Sequence, residues 1–170
     1  KAAVILTAAL LNPFSVPAAP AAATGTEITT NATEGWPQGP EITSGAAVVM
    51  EESTGTILYA KNMDTAMYPA SITKIMTTLV ALENSSLTDT VTMTETGTAA
   101  SAGDSVSLHS QVGETFTMEQ CLYGIMLGSA NDISTQVAEQ VGGSVENFIT
   151  MMNQKATDLG CTNTKFTNPT

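Results

Sequence analysis

Within the stretch "YPASITKIMTTLVALEN", Tyr68 to Asn84, Ser71 and Lys74 stand three residues apart where a helix is expected to begin. Residues i and i+3 of a helix share a face one turn apart, so the amine can reach the hydroxyl. A serine hydroxyl attacks poorly until a base removes its proton, and a lysine whose pKa is lowered by burial can be that base. The free N–H groups at a helix start also favour negative charge developing there. A second pair follows in "GSAND", Gly128 to Asp132, where Ser129 and Asn131 flank Ala130 between two apolar runs. A tight turn there aims both side chains one way. The hydroxyl can relay a proton, and the amide can bind a substrate carbonyl or steady a lysine. Each motif alone is also what a capping serine with a surface lysine, or an ordinary polar helix-to-helix turn, would leave in a sequence.

The elements that must position these residues follow from apolar spacing and turn residues. "GAAVVMEESTGTILYAKN" reads as a β-hairpin around Ser53-Thr54-Gly55, with glycine supplying the positive φ of the turn. Pro69 suits a helix start, and Ile72, Ile75, Met76, Leu79, Val80 and Leu82 recur at helical spacing, mostly on one face, until Asn84-Ser85-Ser86. Residues 87–116 read as short β-like pieces and loops, "TVTMT" and "SVSL" among them. Thr117 and Gln120 form a capping-box pattern ahead of "MEQCLYGIML", which Gly128 closes. Another helix starts within "SANDISTQVAEQVGG", and Ser144 and Gly160 bracket a last one. A hairpin followed by helices with minor strands between them is an α+β order.

Composition limits the function. The chain has 170 residues, 42% hydrophobic and 12% charged, which suits a folded domain or part of a larger one. Its formal net charge is -11 with no arginine, so nucleic-acid binding is excluded and a basic membrane-binding patch is disfavoured. "KAAVILTAALL" followed by "VPAAPAAATG" has the form of a secretory signal peptide, too short in its apolar run to span a bilayer. Residues 1–23 are therefore assigned to the signal, 24–44 to a flexible lead-in and 45–170 to the folded part. Cys121 lies in an apolar pattern, and Cys121 and Cys161 are expected to be unpaired and partly buried. His109 stands alone and carries no role.

The order S-x-x-K then S-x-N belongs to a signature set shared by β-lactamases and penicillin-binding proteins, with K-T-G third. From about Ala46 to Pro169 the chain resembles the serine D-alanyl-D-alanine carboxypeptidases, the low-molecular-weight penicillin-binding proteins. "YPASITKIMT", "LYGIMLGSANDIS" and "FITMMNQKATDLGCTNTKFTNP" carry the likeness. The resemblance implies a β-lactamase/transpeptidase-like fold, of which the hairpin and helical part are present and later sheet strands are missing. It implies Ser71 as acylated nucleophile, Lys74 as general base, Ser129 as proton shuttle and Asn131 as a substrate-peptide contact. The substrate would be peptidoglycan stem peptides ending in D-Ala-D-Ala, with β-lactams as inhibitors and no metal or cofactor. Export fits a substrate outside the cytoplasm, and relatives carry C-terminal segments through which membrane association is expected. Three departures stand out: Ala130 replaces the usual glycine, the cysteines occupy positions that read as apolar core, and K-T-G, which in the family grips the substrate carboxylate on a strand beside the site, is absent before Thr170. On that ground the 170 residues are expected to be an N-terminal fragment that neither folds fully nor turns over substrate. The rivals are a serine β-lactamase, for which Glu139 and Glu146 read as mere helix-surface residues, and a penicillin-recognising sensor or scaffold on the same fold.

Overall fold

The computed structural model describes residues 2–3, 35–37 and 39–170. Apart from Ala2 and Ala3, the expected signal peptide lies outside them. The chain forms two compact units, Lys1–Tyr68 and Pro69–Thr170.

The first unit holds an antiparallel three-stranded sheet in the order β1 (Ala2–Ala3), β2 (Ala47–Glu51), β3 (Ile57–Lys61). The β2–β3 pair is the expected hairpin. Gly55 has φ 70° and donates its N–H to the Glu51 carbonyl at 2.9 Å. The Glu51 carboxylate accepts from the hydroxyls of Thr54 (2.7 Å) and Ser53 (2.8 Å) and from the Thr54 N–H (2.8 Å). These donors, the Thr54 hydroxyl foremost, lower its pKa to about 2, so the turn keeps its charged latch throughout the neutral range. Residues 39–45 run beside β3: the Tyr59 hydroxyl donates to the Pro40 carbonyl at 3.1 Å and the Lys61 amine to the Ile42 carbonyl at 2.7 Å.

The second unit is helical. A 3-10 turn (Ala70–Ile72) leads into α1 (Thr73–Asn84), followed by β4 (Thr90–Thr92), α2 (Glu95–Ala99), β5 (Thr115–Thr117), α3 (Met118–Gly128), α4 (Asn131–Gly142) and α5 (Val145–Asp158). β4 and β5 pair antiparallel with Val91 opposite Phe116. The Thr117–Gln120 capping box is formed in full, and the Ser144 side chain caps α5 by accepting the Asn147 N–H. A core of Ala81, Val91, Met93, Met118, Cys121, Leu122, Ile125, Ala130, Ile133 and Val137 joins α1, β4, α3 and α4. Among the described residues no helix is long and apolar enough to cross a membrane.

Three details differ from the sequence expectation. The apolar stripe of α1 is only partly its buried side: Thr73, Lys74, Thr77, Val80 and Ala81 face inward, whereas of the stripe Met76 and Leu79 are half-buried and Ile72, Ile75 and Leu82 are exposed. Of the inward polar groups, Thr77 donates its hydroxyl to the Pro169 carbonyl at 2.7 Å and Lys74 donates to Asn131 Oδ1, whereas the buried Thr78 hydroxyl beside them finds no partner among the described residues. Residues 95–99, read as loop or β-like, form α2, which Thr94 caps. Glu139 is not a free surface carboxylate. It is half-buried, accepts from the Thr94 hydroxyl at 2.6 Å and the Gln136 amide at 2.9 Å, and has its pKa lowered chiefly by Thr94. Glu146 is exposed as expected.

Both cysteines are free, as expected. Burial raises the Cys121 thiol to a pKa of about 11. A thiol reagent at pH about 8, near the ordinary cysteine pKa, is expected to modify half-buried Cys161 in the folded chain and to reach Cys121 only on unfolding. Mass spectrometry of peptides after timed labelling checks this, and equal labelling rates would contradict the buried placement.

Candidate active site

The site begins where Pro69 and Ala70 deliver the chain to α1. Ala70 adopts φ 50°, and the Pro69 carbonyl accepts the Ile72 N–H at 3.2 Å. This turn leaves Ser71 exposed, while Lys74, one turn further, is only 2% exposed. Serine and lysine thus share a face, with the hydroxyl outside and the amine inside.

The second half comes from the α3–α4 turn. α3 ends at Gly128, and Ser129 reverses the chain in the left-handed region, φ 53° and ψ 32°. The N–H groups of Ser129 and Ala130 both reach the Gly124 carbonyl. Ala130 is fully buried and sits at φ -69°, a conformation open to any L residue, so alanine is accommodated where glycine was anticipated. Asn131 then opens α4.

All four residues singled out in the sequence meet here. The Ser129 hydroxyl donates to Ser71 Oγ at 2.8 Å. The Lys74 amine donates to Ser71 Oγ at 3.2 Å and to Asn131 Oδ1 at 2.6 Å. The Lys74 amine donates in this contact, so Asn131 turns its oxygen to Lys74 and its NH2 away, where Nδ2 donates to Ser105 Oγ at 2.8 Å. Burial lowers the Lys74 pKa, and the only salt bridge found among the described residues, Lys155–Glu83, leaves this amine without a carboxylate partner. A buried amine with a lowered pKa is a competent base for the hydroxyl beside it.

Sequence reasoning missed the loop that backs this constellation. The Val106 carbonyl accepts the Asn131 N–H at 2.8 Å. Asp132, fully buried, accepts the N–H groups of Leu108 at 3.2 Å and Ser110 at 3.1 Å. Burial pushes its pKa up, but the Ser110 N–H, the Ser107 hydroxyl and the Leu108 and Ile133 N–H groups outweigh that and hold it below the ordinary value. The alternating "SVSL" pattern suggests a strand, and nothing local reveals that its backbone is spoken for by an aspartate 22 and 24 residues away. His109 is exposed and touches none of the four residues. Among the described residues no group of three or more His, Cys, Asp or Glu could hold a metal ion.

The family model for peptidase S11, D-alanyl-D-alanine carboxypeptidase, matches residues 31–170. The D-alanyl-D-alanine carboxypeptidase DacF of Bacillus subtilis (strain 168) is 42% identical over 130 residues, covering 74% of this chain and 33% of that protein. The D-alanyl-D-alanine carboxypeptidase DacA of Haemophilus influenzae is 35% identical over 135 residues, 76% of this chain and 34% of that one. Among solved structures, penicillin binding protein 5 from Haemophilus influenzae aligns with a TM-score of 0.71 at 33% identity, over 78% of this chain and 40% of that one. The Streptomyces K15 DD-transpeptidase gives 0.71 at 36%, over 76% and 53%. The chain spans about a third of the length of the curated relatives it matches. With an α+β arrangement that these penicillin-binding structures share, and a family match over residues 31–170, the chain belongs to the D-alanyl-D-alanine carboxypeptidase family, peptidase S11.

Proposed function

We propose that the protein is a serine D-alanyl-D-alanine carboxypeptidase acting on peptidoglycan stem peptides through an acyl-serine. Ser71 Oγ attacks the carbonyl of the penultimate D-alanine while Lys74 takes its proton. Ser129 relays that proton from the Lys74 ammonium to the nitrogen of the departing D-alanine as its C–N bond breaks, which leaves Ser129 neutral and Lys74 a free amine again. Water then hydrolyses the ester, and Lys74 serves again as base. One observation carries this reading: Ser71 Oγ is exposed yet lies between the Ser129 hydroxyl at 2.8 Å and the buried Lys74 amine at 3.2 Å. β-Lactams, which mimic the acyl-D-Ala-D-Ala end, would acylate the same oxygen. The leader-like residues 1–23 support an exported protein working at the cell envelope, with membrane association through segments of the kind its relatives carry.

The test incubates the complete gene product with a labelled penicillin and with a peptide ending in D-Ala-D-Ala. The adduct is mapped by mass spectrometry and released D-alanine is assayed. Label on Ser71 with D-alanine release is the expected result. Label without release would favour a sensor, rapid turnover of the penicillin a β-lactamase, and no label on Ser71 would overturn the assignment.

A further inference from the structure

We propose that Ser105 is a positioning residue for the reaction: its hydroxyl sets the orientation of the Asn131 amide and so keeps Oδ1 on Lys74. The inference rests on the serine-peptidase reading above and adds a residue to it.

A primary amide has nearly the same shape in its two orientations, so packing alone does not choose between them. The wrong orientation would set an NH2 against an amine, donor against donor. Here the choice is made by a chain of bonds whose polarity is fixed at both ends. The Ser105 hydroxyl has one proton and donates it to the Ala100 carbonyl at 2.8 Å, just past the end of α2. Its oxygen toward Asn131 can therefore only accept, and it accepts from Nδ2 at 2.8 Å. At the other end the Lys74 amine donates an N–H to Oδ1 at 2.6 Å, and as a base it must keep its lone pair for the Ser71 hydroxyl. Polarity thus runs one way from Lys74 through Asn131 and Ser105 to the Ala100 carbonyl.

The loop that presents Ser105 is fastened to the same helix start. Asn131 donates its N–H to the Val106 carbonyl at 2.8 Å, and Asp132 holds the N–H groups of Leu108 and Ser110. Ser101 and Ser107 bridge the loop at 2.6 Å without touching Asn131. Ser105 uses one of the two Nδ2 hydrogens, so the other stays available for a substrate carbonyl.

The experiment compares Ser105→Ala, Ser105→Thr and Ser101→Ala in the complete protein. Labelled penicillin reports the saturating acylation rate at Ser71 and the half-saturating concentration, and a 15N–1H spectrum reports the Asn131 side-chain NH2. Ser105→Ala is expected to lower the saturating rate by about tenfold, the weight of one hydrogen bond, with little change in half-saturation. It should also shift the Asn131 NH2 signals and speed their exchange with water. Ser105→Thr keeps the hydroxyl and should stay within about threefold of the parent. Ser101→Ala loosens the loop alone and should leave the Asn131 signals in place. An unmoved amide in Ser105→Ala, or equal losses in Ser101→Ala and Ser105→Ala, would overturn the inference. Failure of the parent protein to take label at Ser71 would overturn the peptidase reading, while the amide spectrum would still show whether Ser105 holds Asn131.

Discussion

Replacing Lys74 by methionine is expected to slow acylation of Ser71 by about 10²–10⁴-fold, the usual weight of a positioned general base. Methionine fills much of the same space without a titrating group, so the helix is expected to hold while the base is gone. The pH profile is the sharper readout. Burial lowers the Lys74 pKa from its ordinary 10.5, so the free amine becomes available at lower pH than for an exposed lysine. The parent's acylation rate should climb as pH rises through that lowered value and level off above it. In Lys74→Met the climb should vanish. The same group acts on stability with a definite sign. Between the folded and unfolded values the unfolded chain binds the proton more tightly, so stability rises with pH across that window. A Lys74→Met protein that labels as fast as the parent, with the same profile, would remove Lys74 from the chemistry.

The largest expected effect on stability comes from Asp132→Ala. The carboxylate is fully buried and accepts the N–H groups of Leu108 and Ser110. Its removal strands two backbone donors, each costing about 1–3 kcal/mol, so a loss of about 2–5 kcal/mol is expected in urea unfolding. The pH dependence follows from the lowered pKa. Asp132 contributes fully above the unfolded value near 4, and its contribution is lost as pH falls through the lower folded value. In Asp132→Ala this part of the acid sensitivity should disappear. A loss below about 1 kcal/mol would mean that the loop holds itself. Because Asp132 follows Asn131 directly, a released loop should also lower acylation at Ser71.

The sequence revealed most of the site and less of its support. The meeting of Ser71, Lys74, Ser129 and Asn131 was legible because the chemistry proposed for them demands particular residue types at short spacings. The α3 and α5 caps were legible because Thr117–Gln120 and Ser144 act within one helical turn. The orientation of α1 was not. Apolar periodicity favours Ile72, Ile75, Met76, Leu79, Val80 and Leu82 as the inner stripe, yet the helix buries Val80 and turns Lys74 and Thr77 inward toward long-range partners at Asn131 and Pro169, leaving Ile72, Ile75 and Leu82 exposed. Helix α2 escaped because "ETGTA" has weak propensity and draws its support from Thr94 and, through it, Gln136 and Glu139 on α4. Ser105 and Asp132 act across 26 and 22–24 residues, and a single sequence carries no trace of such pairings.

The bond from Thr77 to the Pro169 carbonyl joins residues 92 apart, and that from Lys74 to Asn131 joins residues 57 apart. A ribosome adding about 5–20 residues per second needs roughly 5–20 s to travel from the first of these threonine and proline partners to the second. Until Asn131 has been made, Lys74 lacks that partner, and until Pro169 has been made, Thr77 lacks its acceptor. On the proposed mechanism Ser71 would therefore emerge early without its base, an unarmed nucleophile, and reactivity would arrive with the closing of the fold rather than with the synthesis of the serine.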